Sequence, residues 1–226
     1  MQWTYLLVIL ATLFFPVVLS FESKVHYISS WKNSLISAVI IAIPFIIWDS
    51  LFTELGFWGF NQEYLIGINI FNLPLEEILF FIIIPFACTF IYEVVKFYFR
   101  KYDLKKLSKT FFFIIPLYGL LLTIFGESGW YTLSVILSST LVLIALMKHP
   151  ELDKIILAFL ICFLPFFIMN GILTGAITEN PVVWYSEEQK IAGRIFTIPF
   201  EDILYNFSLL IPNMLLFEWL QKKTKG

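Results

Sequence analysis

Long apolar stretches separated by short polar ones set the pattern of this chain. They run approximately over Trp3–Phe21, Asn33–Trp48, Leu73–Val95, Thr110–Phe125, Tyr131–Met147, Ile155–Ile177 and Ile198–Leu220. A helix needs roughly 17–25 predominantly apolar residues to cross a bilayer, so the pattern predicts about seven spans. The second and fourth are short and carry Pro44 and Pro116, which can kink them. No water reaches a bare peptide group inside lipid, so each stretch is expected to be a helix. The first has no Lys or Arg ahead of it and no small-x-small cleavage site after it, and it is read as a retained span rather than a signal peptide.

Composition supports the bilayer as solvent. Of 226 residues, 59% are apolar and 14% charged, and 26 are Phe. Soluble domains carry about 25% charged residues, and a soluble fold of this size could not hide so much apolar surface. The net charge of −2 gives no basic face for nucleic acid. His26 and His149 lie outside the apolar runs, which argues against a His-based metal site. Cys88 and Cys162 lie inside them and suggest no disulfide framework.

Loop charge gives an orientation. All of the 15 Lys and Arg residues except Lys190 and Arg194 fall in the loops after spans one, three and five or in the C-terminal tail. The positive-inside rule then places the C-terminus in the cytoplasm and the N-terminus outside, in a multi-pass protein of the cell membrane. The lysine-rich stretch from Lys96 to Lys109 is read as a topology and lipid-headgroup feature. Glu93 and Glu218, at the same end, are expected to pair with Lys96 and Lys222.

The chain also repeats itself. Pro74, Glu76 and Glu77 align with Pro199, Glu201 and Asp202, and Tyr92-Glu93 with Phe217-Glu218, at one common offset. Trp58 and Gly67 match Trp184 and Gly193, while Pro44-Phe45 and Asp49 match Pro165-Phe166 and Asn170. The fold class expected is therefore an all-α polytopic bundle of two parallel three-helix repeats, residues 1–109 and 131–226, joined by a connector span at 110–130. A pseudo-twofold axis along the membrane normal would relate the halves, with a site at their interface.

Both acidic pairs fall at helix starts, where carboxylates complement the helix dipole. They also adjoin uninterrupted apolar helix, and ionisable residues there usually face a cavity or each other. Consecutive helical residues point about 100° apart, so one acid of each pair is expected to face the other half while its neighbour supports it. On the last span Glu201, Tyr205 and Ser208 share one face, and Asp202 and Asn206 another. Below its acids the third span is apolar, with Phe80, Phe81 and Ile84. An apolar site can hold a carboxyl protonated at neutral pH, and aromatic faces can stabilise a cation. Asp49 and Asn170 are expected either to support the acids or to solvate helix ends. Trp58 and Trp184, matched ahead of the acids, suggest a folded outer loop lidding the cavity.

These residues resemble a known family. Trp58-Gly59-Phe60-Asn61, Gly67 and Leu73-Pro74-Leu75-Glu76-Glu77-Ile78-Leu79-Phe80-Phe81 are similar to the first half of the integral-membrane, flavin-independent lycopene cyclases. Trp184-Tyr185, Ile198-Pro199-Phe200-Glu201-Asp202 and Leu216-Phe217-Glu218-Trp219 are similar to the second half. The halves of that family occur as two subunits or as one fused chain, and this chain looks like the fused form. The resemblance implies redox-neutral cyclisation of a linear carotenoid, from lycopene through γ-carotene to β-carotene, with Glu76, Glu77, Glu201 and Asp202 as the acid–base set. Trp58, Phe80, Phe81, Trp184, Tyr205 and Asn206 are the expected substrate-lining positions, and Asp49 and Asn170 the supporting ones. It implies no flavin or other cofactor, in keeping with the lack of a G-x-G-x-x-G fingerprint. Lycopene or a related acyclic carotenoid, membrane lipid and other carotenoid-pathway enzymes are the expected partners.

The rivals differ in specific residues. A retinal-binding receptor needs a Schiff-base lysine in the last span, and Ile198–Leu220 has none. A prenyltransferase needs clustered aspartates for Mg²⁺, and no D-x-x-x-D cluster occurs. A transporter with parallel repeats, another ring type and a C50 substrate stay open on the residues alone.

Overall fold

The computed structural model describes residues 2–125, 129–147, 149–190 and 193–225. It contains the expected helices: α1 (Thr4–Val18), α2 (Trp31–Glu54), α3 (Leu75–Tyr98), α4 (Lys105–Phe125), α5 (Trp130–Leu146), α6 (Leu152–Leu173) and α7 (Glu201–Lys225). Six are long and apolar enough to cross a membrane. The seventh, α5, has 17 residues, a length of about 25 Å at the α-helical rise. Helices α2, α4 and α7 outrun the apolar pattern, α7 by continuing through its lysine-bearing end to Lys225. Helix α2 continues past Trp48 to Glu54, because Asp49 is buried and hydrogen-bonded inside the fold rather than solvated at a helix end. Helix α4 starts at Lys105, since its lysine-rich first turn is helical without being apolar.

Helices α3 and α7 form the centre and pack on each other. Helix α2 lies against both of them, and so does α6. Helix α1 packs on α3 as α5 packs on α7, and α4 sits outside against α5 and α6. The second helix of each half thus touches the third helix of both halves, and the core is shared. Phe81, Phe207, Leu210, Met214 and Phe217 fill it. The outward rows are equally apolar: Ile40, Ile43, Ile47 and Leu51 recur at helical spacing on α2 and stay exposed. An apolar exterior of this kind is stable in lipid, as in a multi-pass membrane protein.

The lysine-rich end is closed by ion pairs. Lys96 Nζ lies 2.7 Å from Glu218 and 3.6 Å from Glu93, and Lys222 lies 3.3 Å from Glu218. Tyr92 OH donates to the same Glu218 at 2.9 Å. These are the pairings expected from the charge pattern. Cys88 and Cys162 are buried free thiols.

The opposite, acid-bearing end carries short strands that the helical pattern gave no sign of: β1 (Trp58–Phe60), β2 (Asn69–Ile70), β3 (Leu73–Pro74), β4 (Val183–Tyr185), β5 (Arg194–Ile195) and β6 (Ile198–Pro199). Runs of two or three residues are too brief to show alternation. Strands β2–β3 and β5–β6 are hairpins, each leading into the helix that bears its half's acids. Strands β1 and β4 come from different halves and pair antiparallel, with Gly59 opposite Trp184 at the centre. This cross-half pair lids the acid end, as the matched tryptophans suggested.

Gly59 permits the lid to close, because a Cβ there would run into the Trp184 ring. Gly59→Ala is expected to push that ring away and to cost about 1–3 kcal/mol of stability. Thermal unfolding of the purified protein in micelles measures it, and an unchanged midpoint would show that the ring yields freely.

Candidate functional site

Under the lid, one cavity of about 60 Å³ is lined by both halves. Glu77 reaches it from the first turn of α3, and Asp202 from the first turn of α7. Asp49 of α2 and Asn170 of α6 line it as well. Their neighbours in the wall are aromatic: Tyr5, Trp58, Phe60, Phe80, Tyr131, Phe166, Tyr185 and Tyr205. No Lys, Arg or His is among the lining residues.

A carboxyl inside apolar packing must find donors or carry its own proton. Tyr5 OH donates to Glu77 Oε2. In the other half Tyr131 OH donates to Asp202 Oδ1 at 2.6 Å. Asp202 Oδ2 takes two more, from Asn170 Nδ2 at 2.7 Å and Tyr185 OH at 3.1 Å. The Trp58 indole N–H donates to Asp49 Oδ1, while Asp49 Oδ2 is buried and finds no hydrogen-bond partner. The halves therefore differ. The first presents two carboxyls with one donor each, and the second presents one carboxyl with three donors.

The other two acids do not line the cavity. Glu76 Oε1 accepts the Ile66 backbone N–H at 2.7 Å, which ties the loop ahead of α3 to the helix start. Glu201 Oε1 accepts from Thr132 at 2.7 Å and holds α7 to α5. One acid of each pair thus faces the shared cavity and its neighbour fixes the frame, as the 100° step between them required.

Among the expected substrate-lining residues, Trp58, Phe80, Tyr205 and Asn206 face the cavity. Phe81 is fully buried beside Phe45, with ring centroids 6.1 Å apart. Trp184 lies over Gly59 with its ring largely outside the cavity, 43% exposed. Tyr205 stands with Asp202 on the cavity side, one turn below it, while Ser208 turns to Ser138 at 2.9 Å. Sequence reasoning missed three donors to the cavity's acids, Tyr5, Tyr131 and Tyr185. A signal was present in Trp3-Thr4-Tyr5 and Trp130-Tyr131-Thr132, similar triplets opening the first helix of each half.

The lid is braced outside the cavity. Lys190 pairs with Glu187 at 2.5 Å and Arg194 with the same carboxylate at 3.0 Å. The hydrogen bond from Lys190, and then that from Arg194, hold the Glu187 carboxyl below the usual carboxylate range. Among the described residues no three His, Cys, Asp or Glu side chains converge to hold a metal ion.

The family model described as lycopene cyclase matches residues 2–95 and 128–220. The two matches cover well over half of the chain, each with one acidic motif, and the interval between them contains α4. No curated protein and no solved structure matches the chain.

Asn170→Leu removes one donor from Asp202 and leaves a buried carboxyl less satisfied. It is expected to destabilise the protein by about 1–3 kcal/mol. Asn170→Asp is expected to be worse, because it sets a second carboxyl against the first. Paired melting curves check both; a milder effect for Asp than for Leu would contradict the donor role.

Proposed function

The chain belongs to the lycopene cyclase family, and we propose that it is a lycopene β-cyclase that closes both ends of the linear carotenoid, through γ-carotene to β-carotene. The observation that carries this reading is the meeting of Glu77 and Asp202, one from each half, in a single aromatic-lined cavity without a cation. In this reading residues 1–109 and 131–226 are the two cyclase repeats and 110–130 the connector. The N-terminus is outside and the lysine-rich end cytoplasmic.

The reaction is an isomerisation in which one proton enters and one leaves. A carboxylic acid protonates the terminal double bond of the end group, the internal double bond attacks the resulting tertiary cation to close a six-membered ring, and loss of a proton from the ring sets the β double bond. An alkene is a very weak base, so protonation and ring closure are coupled. We assign the donor to Glu77, which receives a single hydrogen bond, from Tyr5. Asp49, on the same half, supplies a second carboxyl with a buried, unpartnered oxygen. Asp202, with its three donors, acts as a fixed anion that faces the developing cation and takes the departing proton. Hydrogen bonds to a carboxylate favour that form, and a preorganised anion stabilises positive charge as it develops. The faces of Trp58, Tyr131 and Tyr205, with centroids 5.1–6.4 Å apart, add cation–π stabilisation. Glu76 and Glu201 position the two helix starts.

The two sides of the pseudo-twofold are unequal here. Phe45 and Tyr205 close one side in an edge-to-face pair, 5.4 Å between centroids. Their counterparts Phe166 and Phe80 are half-buried, and no ring contact between them is found among the described residues. Access between Phe80 and Phe166 is the reading this asymmetry supports.

Expression in a lycopene-accumulating bacterium tests the activity. β-Carotene is the expected pigment; γ-carotene alone would limit the enzyme to one end, an ε ring would correct the ring type, and unchanged lycopene with the protein in the membrane would defeat the reading. Glu77→Gln and Asp202→Asn are each expected to lower turnover by at least about 100-fold, as for loss of a general acid or base. Glu76→Gln should act mainly through stability. Full turnover in Glu77→Gln would remove it as the donor.

A further inference from the structure

The two hairpins at the acid-bearing end expose their tips in the same unusual way. Phe71 follows β2 and Phe196 follows β5, each the first residue of a two-residue turn, and each has a φ of 55°. That turn position favours glycine, because a side chain there is crowded by the backbone. Both halves nevertheless place phenylalanine in it. The rings pack on nothing: Phe71 is 92% and Phe196 93% exposed, the highest values among the large apolar side chains described.

The turns are held firmly from behind. Asn72 Nδ2 donates to Ser50 O at 2.7 Å, and Ser50 Oγ donates to Asn72 Oδ1 at 2.6 Å, fixing the first turn to the last part of α2. Thr174 Oγ1 donates to Thr197 Oγ1 at 2.8 Å, fixing the second turn to the end of α6, and Arg194 Nη1 donates to Thr197 O at 2.7 Å within the hairpin. Each tip therefore presents its ring outward as a rigid feature.

What covers the rings follows from what adjoins them. Leu51, next to Ser50, ends the exposed row Ile40, Ile43, Ile47 and Leu51 on α2. On α6, Leu164 and Ile168 are exposed just below Gly171, whose carbonyl accepts from Thr197. Ile68 and Ile70 are exposed beside Phe71. Each turn continues a helix face already turned to acyl chains, and neither turn contains a charged residue.

We propose that Phe71 and Phe196 insert into the lipid leaflet at the acid-bearing end, as a pair of pegs on the two halves that set the depth of the cavity. An apolar ring held in the hydrocarbon resists lifting of the bundle, because lifting would return it to water, and the polar turn behind it, with Asn72 or Thr197, resists sinking. Two of them, related by the repeat, also resist tilting. The inference rests on the membrane reading and not on the cyclase reading, and it needs no substrate for its test.

The test is nitroxide labelling of Phe71→Cys and Phe196→Cys in lipid nanodiscs, with Glu63→Cys as the exposed loop control; Cys88 and Cys162 are buried and out of reach of the label. Collision with oxygen, which concentrates in lipid, is compared with collision with a water-soluble nickel chelate. Oxygen is expected to dominate several-fold at 71 and 196, and the chelate at 63. Chelate dominance at 71 or 196 would overturn the proposal. Low collision with both agents would also overturn it, by showing a protein contact such as a second copy of the chain. Phe71→Gly and Phe196→Gly should melt at or above the wild-type temperature in detergent. A lower melting point would show that the rings serve the fold instead.

Discussion

A carboxyl group placed inside an apolar bundle has to be supplied with hydrogen-bond donors, and the acid-bearing end of this protein is built around that requirement. Each of the cavity's acids has drawn in a donor from a different helix or loop: Tyr5 from α1, Tyr131 from α5, Asn170 from α6, Trp58 and Tyr185 from the paired strands. Because the donors come from so many elements, the acids cannot be satisfied until those elements are all in place. The site and the tertiary fold form together. The net gain per hydrogen bond is small, about 1 kcal/mol, but the cost of leaving such a group bare is larger, and that asymmetry enforces the geometry.

The same constraint explains how labour is divided between adjacent acids. Glu76 and Glu201 are carboxyls of the same kind as Glu77 and Asp202, yet they hold the Ile66 backbone and the Thr132 hydroxyl. A helix start in lipid leaves N–H groups to be satisfied, and a carboxylate is well suited to gather the loop that precedes it. The framing acid lets the other acid be aimed. At the far end the ion pairs around Glu218 close the bundle, and none of their members lines the cavity.

Much of this was legible in the residues because it depends on local composition. Apolar length revealed the helices, the lysines separated the two ends, and the duplicated Pro-x-acid-acid motif exposed the repeat. Neighbouring positions on one helix were separable by the angle between them, which is why Glu77 and Glu76 could be expected to differ. What stayed hidden depends on distances across the fold. Tyr5 reads as one aromatic among many until Glu77 is placed against it. Phe80 and Phe81 are indistinguishable by type, and only packing turns one to the cavity and the other to Phe45. The strands are too short to carry a period. Trp184 matched Trp58 in sequence, but an antiparallel pair centred on Gly59 gives the two tryptophans opposite surroundings.

That strand pair has a further implication. Antiparallel strands that pair about a local twofold present the same contact from either side, so two identical half-length chains could make it with each other. Such an isologous dimer is bound by its own symmetry: any substitution appears on both sides at once. The differences seen here, Asp49 against Asn170 and Phe80 against Tyr205, are unavailable to it. Joined through α4, the two halves are encoded separately and can diverge while keeping the contact that unites them. The joining helix adds no residue to the cavity wall, and the divergence it accompanies is what the proposed mechanism draws on, one half releasing a proton while the other holds a negative charge.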